Sequence, residues 1–165
     1  MSFIVLITWF AAVLAGLYML AVWLIENDVR GGTAAPTRLP VPVLLGHVGL
    51  ALTGFVLWVS YLVAHQERLA WASIGVLCGI ALLGFTMFAR WIPVYRAPVA
   101  VAGLAGAPAA APAESNFPVA VVAAHGMFAV STLVLAIVAT ITSLARPASV
   151  PGLPCCHAAA WRPAP

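Results

Sequence analysis

Two histidines stand inside long apolar stretches of this chain, and each follows a proline at the same distance. His47 lies seven residues after Pro40 in "PVPVLLGHVGL", and His125 lies seven residues after Pro118 in "PVAVVAAHGMF". An imidazole titrates near neutral pH, donates and accepts hydrogen bonds, and supplies a lone pair to a metal ion. The chemistry of this sequence is therefore most reasonably sought at the matched histidine pair.

The histidines are carried by long apolar segments. Hydrophobic residues make up 64% of the 165 positions and charged residues only 7%, which is too little polar surface for a soluble globule of this size. A membrane-crossing helix needs ~20 predominantly apolar residues, and four segments reach that length: 3–25, 41–64, 69–89 and 118–144. The sequence predicts an all-α integral membrane protein, a four-helix bundle over residues 1–144 whose partner is the lipid bilayer.

The two histidine segments form an internal repeat. Aligning residues 40–57 with 118–135 needs no gap and gives seven identities, including the proline and the histidine. A weaker match at an offset of 68 relates the first and third segments through Gly16/Gly84, Met19/Met87, Ala21/Ala89 and Trp23/Trp91. These matches predict a tandem duplication of a two-helix hairpin, with both copies entering the membrane from the same side. The histidines should then lie at one depth on neighbouring helices.

Residues 145–165 are rich in proline and show no helical period, so we expect a disordered tail. The tail contains Cys155, Cys156 and His157, which lack the second ligand pair of a zinc site. Their role stays open, and the sequence predicts no metal site there or elsewhere.

The charge pattern bears on partners and location. The net charge of +3 comes from seven arginines and no lysine, spread over loops and tail without a basic patch, so nucleic acid is not expected as a partner. The absence of lysine beside abundant alanine, proline and glycine is typical of GC-rich bacterial coding. We therefore expect a multi-pass protein of a bacterial plasma membrane. The arginines are nearly balanced between the two sides, which leaves the orientation open.

Small residues follow each histidine at the fourth and seventh positions on the same helix face: Ala51 and Gly54, Ala129 and Thr132. They leave space beside each imidazole. This pattern resembles the haem sites of small four-helix bacterial membrane proteins of b-type cytochrome character, where histidines of two helices supply the axial nitrogens. The resemblance implies haem b as the cofactor, His47 and His125 as axial ligands, and the four small residues as neighbours of the macrocycle.

Other interpretations of the pair stay open. Small residues at this spacing also serve plain helix packing, and a membrane histidine often only hydrogen-bonds to a neighbouring helix. A proton, a metal ion or a small ligand is a further possibility. No acidic residue lies inside the four segments, and no nucleophile–base set, P-loop or dinucleotide fingerprint is present.

Without a catalytic constellation, the sequence predicts a protein that is not an enzyme. The first expectation is an accessory or scaffold subunit of a membrane assembly, whose partners are other membrane subunits or further copies of the same chain. The alternative is a haem b-binding electron-transfer membrane protein.

Overall fold

The computed structural model describes residues 1–28, 37–96 and 112–145. These residues contain no strand and form four α-helices and one short 3₁₀ helix: α1 Ser2–Asp28, α2 Val41–Ala64, α3 Glu67–Arg96, the 3₁₀ helix Ala113–Asn116, and α4 Val119–Leu144. All four α-helices are long and apolar enough to cross a membrane. The prediction of an all-α protein is therefore confirmed, as is the prediction of four helices long and apolar enough to span a membrane. The predicted tail, apart from Ala145, lies outside the described residues.

Prolines stand immediately ahead of α2 and α4. Pro40 and Pro118 have φ angles of −66° and −63° in extended backbone, and the carbonyl of each accepts the N–H groups of the third and fourth residues after it. Proline suits this position because the first turn of a helix has backbone N–H groups without intrahelical partners. The two histidine-bearing helices therefore begin in the same way.

A tight turn joins α2 to α3. His65 ends α2 in the left-handed conformation, with φ 53°, and its N–H donates to the carbonyl of Tyr61. The next helix begins at Glu67, whose carboxylate in the first turn complements the helix dipole. The short turn makes α2 and α3 antiparallel neighbours that pack along each other.

The third helix is longer than predicted, ending at Arg96 rather than at Ala89. Pro93 lies in its last turns, where a missing N–H removes one hydrogen bond near the end of the helix instead of dividing its middle. The added turns also bury Trp91 and Val94. This burial favours the extension.

The helices pack as two pairs, α1 with α4 and α2 with α3, and contacts of α3 with α4 and of α1 with α2 join the pairs. Within the described ranges no Cα atom of α2 comes within 8 Å of one of α4. The expectation that the two histidine-bearing helices are direct neighbours is therefore wrong at the level of the backbone. Their side chains nevertheless meet, at the histidines.

Burial divides the molecule into three layers along the helix axes. The first layer, which we call the aromatic core, is a buried apolar cluster where α1 begins and α2 ends: Val5, Trp9, Trp58, Ala70, Ile74, Leu77, Ile80, Ala136 and Ala139. The opposite layer, the end cluster, contains the buried residues Leu39, Trp91, Val94, Ala113 and Glu114.

The histidine layer lies between the aromatic core and the end cluster. It comprises residues 13–26, 41–53, 81–90 and 119–131, none of which is buried. Each helix contributes about two to four turns to it. Side chains above and below the histidines are thus buried, whereas those around them are at least partly exposed, and in this sense we call the histidine layer loosely packed.

The outer surface of the four helices is apolar. Only 11% to 22% of the residues in the most apolar window of each span are buried within the chain, and large apolar side chains such as Phe3, Phe85 and Met127 are exposed. Lipid tails solvate such a surface as well as protein does. Four helices of this kind indicate a multi-pass protein in a lipid bilayer.

Candidate functional site

The imidazoles of His47 and His125 lie next to each other in the histidine layer. Their ring centroids are 6.1 Å apart and the ring planes are tilted by 56°. Both side chains are half-buried. The structure therefore brings together the two residues that the repeat singled out, although the helices that carry them make no backbone contact.

Each imidazole is held by a backbone carbonyl of a different helix. Nδ1 of His47 lies 3.1 Å from the carbonyl oxygen of Ile80 in α3, and Nδ1 of His125 lies 2.9 Å from that of Ala12 in α1. A carbonyl oxygen only accepts, so Nδ1 must carry the proton in both rings. The neutral imidazole then has its lone pair on Nε2. Metal-ligating histidines are commonly oriented in this way, with one nitrogen donating to a carbonyl and the other on the metal.

A glycine lies against each imidazole. A Cβ atom built on Gly84 would lie 3.1 Å from Cε1 of His47, and one built on Gly16 would lie 3.1 Å from Cε1 of His125. Glycine therefore leaves the room that the ring occupies. In the sequence this glycine pair is a mark of the repeat, and its place beside the histidines becomes visible only in the structure.

Two kinds of contact occur twice at positions related by the offset of 68 for α1 and α3 and of 78 for α2 and α4: the histidine–carbonyl bonds and the histidine–glycine contacts. A third contact is similar in the two halves, although its acceptors do not fit the offset of 78. Trp23 donates to the Thr37 hydroxyl at 3.3 Å, and Trp91 donates to the Glu114 carbonyl at 3.2 Å. The offset of 68 thus relates residues that hold the site.

The four small residues that were predicted to lie beside the haem divide into two groups. Ala51 and Ala129 lie one turn beyond the histidines, half-buried and within the histidine layer. Gly54 and Thr132 are buried one turn further on, where the aromatic core begins.

Both members of the second group are packed against other helices. A Cβ atom on Gly54 would lie 3.0 to 3.1 Å from the Trp9 indole and from Val76. The hydroxyl of Thr132 donates to the Phe128 carbonyl at 2.7 Å and lies 3.0 Å from the hydroxyl of Thr8. Helix packing explains these two small residues, while their role as cofactor neighbours stays a prediction.

Two imidazoles alone favour one class of metal group. The described residues contain no group of three or more His, Cys, Asp or Glu side chains that could hold a metal ion, and a zinc ion takes four ligands. Haem iron already has four porphyrin nitrogens and needs only two axial ones.

The separation of the rings fits such a pair of axial ligands. Metal–imidazole bonds are ~2 Å long, and each ring centroid is set back about one ångström from its coordinating nitrogen, so the centroids of two axial imidazoles lie about 6 Å apart. The observed 6.1 Å is in that range.

Comparison with known proteins gives no relative of this chain. No family model, curated protein or solved structure matches it. The resemblance to b-type cytochromes that the residue pattern predicts therefore rests on the sequence pattern alone.

Proposed function

We propose that this chain is a four-helix membrane protein that binds one haem b between His47 and His125, its axial ligands. The observation that carries the proposal is the pair itself: two imidazoles with centroids 6.1 Å apart, each held at Nδ1 by a carbonyl of another helix. Ligation through Nε2 keeps those hydrogen bonds and uses them to orient the rings. Bound haem supplies one-electron redox chemistry, so electron transfer is the proposed class of function.

The tautomer of the two rings supports a ligand over packing alone. With both Nδ1 atoms donating to carbonyls, the lone pair of each ring lies on Nε2 and is available to a ligand. One haem iron accepts both lone pairs. A bridging water or a shared proton is the alternative, and it would leave the protein colourless.

The loose packing of the histidine layer supports the same proposal. Residues 41–53 and 119–131, which flank the histidines, contain no buried side chain, whereas the aromatic core next to them is closely packed. Protein interiors are normally packed to the density of organic crystals. A flat macrocycle in this layer would cover side chains that the chain by itself leaves partly exposed.

We also infer that the four helices form a bundle of two duplicated hairpins. The two best-packed pairs, α2 with α3 and α4 with α1, are equivalent under duplication. So are the carbonyl contacts of His47 and His125. Two copies of one hairpin would explain how a single haem obtains two ligands from equivalent positions.

An accessory subunit of a membrane assembly is the second candidate function. The observation that favours it is a set of glycines on the outer surface, Gly49, Gly75 and Gly126, where an added Cβ would meet nothing within 4 Å. Such positions allow another apolar helix to approach closely. Native mass spectrometry of protein extracted in mild detergent tests this candidate, because an accessory subunit should retain a stoichiometric partner.

Haem binding is tested by absorption spectroscopy on protein expressed with ample haem. Wild type should carry one haem per chain and show a six-coordinate, low-spin spectrum with a Soret band that sharpens and shifts on reduction. His47→Ala and His125→Ala should each lose the low-spin form because one axial ligand is missing, and added imidazole should restore it. His65→Asn is the matched control, since His65 is exposed at the α2–α3 turn and asparagine tolerates its left-handed backbone.

A colourless wild type, or two alanine variants with unchanged spectra, would overturn the haem proposal. In the first case the paired histidines would be explained by a bridging water or proton. In the second case haem would bind elsewhere, and the histidine layer would have no assigned ligand.

A further inference from the structure

The end cluster contains a fully buried carboxylate. Glu114 has 0% relative exposure, whereas Glu26 is partly exposed and Glu67 is exposed. Its Oε1 accepts the backbone N–H of Arg38 at 2.6 Å, and its Oε2 accepts the hydroxyl of Thr37 at 3.2 Å. Burying a carboxylate is unfavourable unless it is hydrogen-bonded, and hydrogen bonds to a charged acceptor are among the stronger ones. The two partners are therefore firmly tied to Glu114.

These hydrogen bonds join the segments that lead into the two histidine-bearing helices. Thr37 and Arg38 stand just before Pro40 and α2, and Glu114 stands just before Pro118 and α4. Since α2 and α4 make no backbone contact within the described ranges, the Glu114 carboxylate is a direct link between their beginnings.

The other two helices are tied to the same cluster. Trp23, near the end of α1, donates to the Thr37 hydroxyl, and Trp91, near the end of α3, donates to the Glu114 carbonyl. Arg90 of α3 also donates to the carbonyl of Arg38 at 3.4 Å. All four helices are thus hydrogen-bonded through one group of residues at this end.

The histidines are close enough to the cluster to be affected by it. Each lies seven residues after its proline, which is ~10 Å along a helix. The intervening residues belong to the loosely packed histidine layer. With so few buried contacts there, the separation of α2 and α4 depends on the packed layers at either end.

We propose that Glu114 is a positioning residue for the histidine pair. By linking the residues ahead of α2 to those ahead of α4, its carboxylate sets the separation of His47 and His125. The haem-binding readout of this inference rests on the proposed function, whereas the distance between the two helices does not. Two measurements therefore distinguish a failure of the positioning role of Glu114 from a failure of the haem proposal.

The first measurement is the distance between spin labels on α2 and α4. Leu45→Cys and Ala123→Cys place labels at exposed positions related by the repeat, in a background where Cys78, Cys155 and Cys156 are replaced by serine. Pulsed electron paramagnetic resonance should give a narrow distance distribution with Glu114 present. Glu114→Ala should broaden it, with and without haem, because the link between the helix beginnings is lost.

The second measurement is haem binding by the same variants without labels. Glu114→Ala should weaken haem affinity on the order of tenfold, as for other residues that orient metal ligands, and should give a mixture of low-spin and high-spin ferric haem. Glu114→Gln keeps one oxygen for the Arg38 N–H and should recover most of the wild-type spectrum. Glu67→Ala is the control, since this carboxylate is exposed at the opposite end of α3.

Unchanged distances and unchanged haem affinity in Glu114→Ala would overturn the positioning role and leave the haem proposal intact. A wild type without haem would overturn the haem proposal, and the label distances would still decide the role of Glu114. If Glu114→Ala is not recovered as folded protein, Thr37→Val decides instead. It keeps the side-chain shape but removes one donor to the carboxylate together with the acceptor of the Trp23 and Leu39 N–H groups. An unchanged distance distribution contradicts the role, and a broadened one supports it.

Discussion

Around the histidine pair the contacts of one half of the chain recur in the other half, whereas in the aromatic core they do not. His47 and His125 have equivalent carbonyl partners and equivalent glycines. In the core, the position equivalent to Trp58 at the offset of 78 is Ala136, and both residues are fully buried. Equivalent contacts are therefore present in the histidine layer and absent at these positions of the aromatic core.

The difference follows from what each layer requires. An apolar core tolerates different residues at equivalent positions as long as the total volume is filled, so an indole on one side and a methyl group on the other pack together. A histidine held at a defined orientation needs a particular acceptor and a particular space. The repeat persists where geometry is specific, which is what a shared ligand between two helices would demand.

The largest effect on stability should come from the aromatic core, with Trp58→Ala. This side chain is fully buried and its Nε1 donates to the carbonyl of Ser2 at 3.3 Å. Its loss leaves a cavity and should lower the free energy of unfolding by about 3–5 kcal/mol, measured by denaturation in detergent. Trp71→Ala, at an exposed position of α3, should change it by less than about 0.5 kcal/mol.

Protein of the Trp58→Ala variant that remains folded should show an unchanged haem spectrum. A changed spectrum would contradict the separation into layers, because it would mean that packing in the aromatic core controls the histidine pair.

A smaller effect on stability, together with a clear effect on haem, is expected from Gly16→Ala and Gly84→Ala. Each new Cβ would lie 3.1 Å from Cε1 of a histidine, so the ring must shift by a few tenths of an ångström. We expect the steric cost of about 1–3 kcal/mol to exceed the gain of ~1 kcal/mol in helix propensity, and haem binding to weaken on the order of tenfold. Titration of the apoprotein with haemin measures the second effect.

The glycine pair also tests the duplication, since equivalent positions should respond alike. Gly126→Ala is the control, because a Cβ there would meet nothing within 4 Å and alanine favours a helix. If only one of the two histidine-facing variants changed haem binding, the equivalence of the two halves would be lost.

The sequence predicted the four helices and the histidine pair because both depend on local information. Apolar length marks the spans, and the ungapped match at an offset of 78 selects His47 and His125. The continuation of α3 through Pro93 was missed because it depends on burial of Trp91 against another segment. Glu114 was missed for the same reason, since its partners Thr37 and Arg38 are more than 70 residues away in the chain.

The smallest effect is expected from Thr132→Val, at the border between the histidine layer and the aromatic core. The Thr132 hydroxyl donates to its own helix and lies 3.0 Å from that of Thr8, which also has the Val5 carbonyl as an acceptor at 3.0 Å. Valine keeps the shape and leaves no buried donor unpaired, so we expect a loss of about 0.6 kcal/mol, typical of a hydrogen bond between membrane helices. Thr53→Val is the control, because the Thr53 hydroxyl is exposed and donates only to the Gly49 carbonyl within its own helix.

The haem spectrum of Thr132→Val decides whether Thr132 belongs to the haem site. An unchanged spectrum places this residue in the packing of the aromatic core, whereas a shifted Soret band would extend the haem site by a helical turn towards the core, as the small residues of the repeat predict.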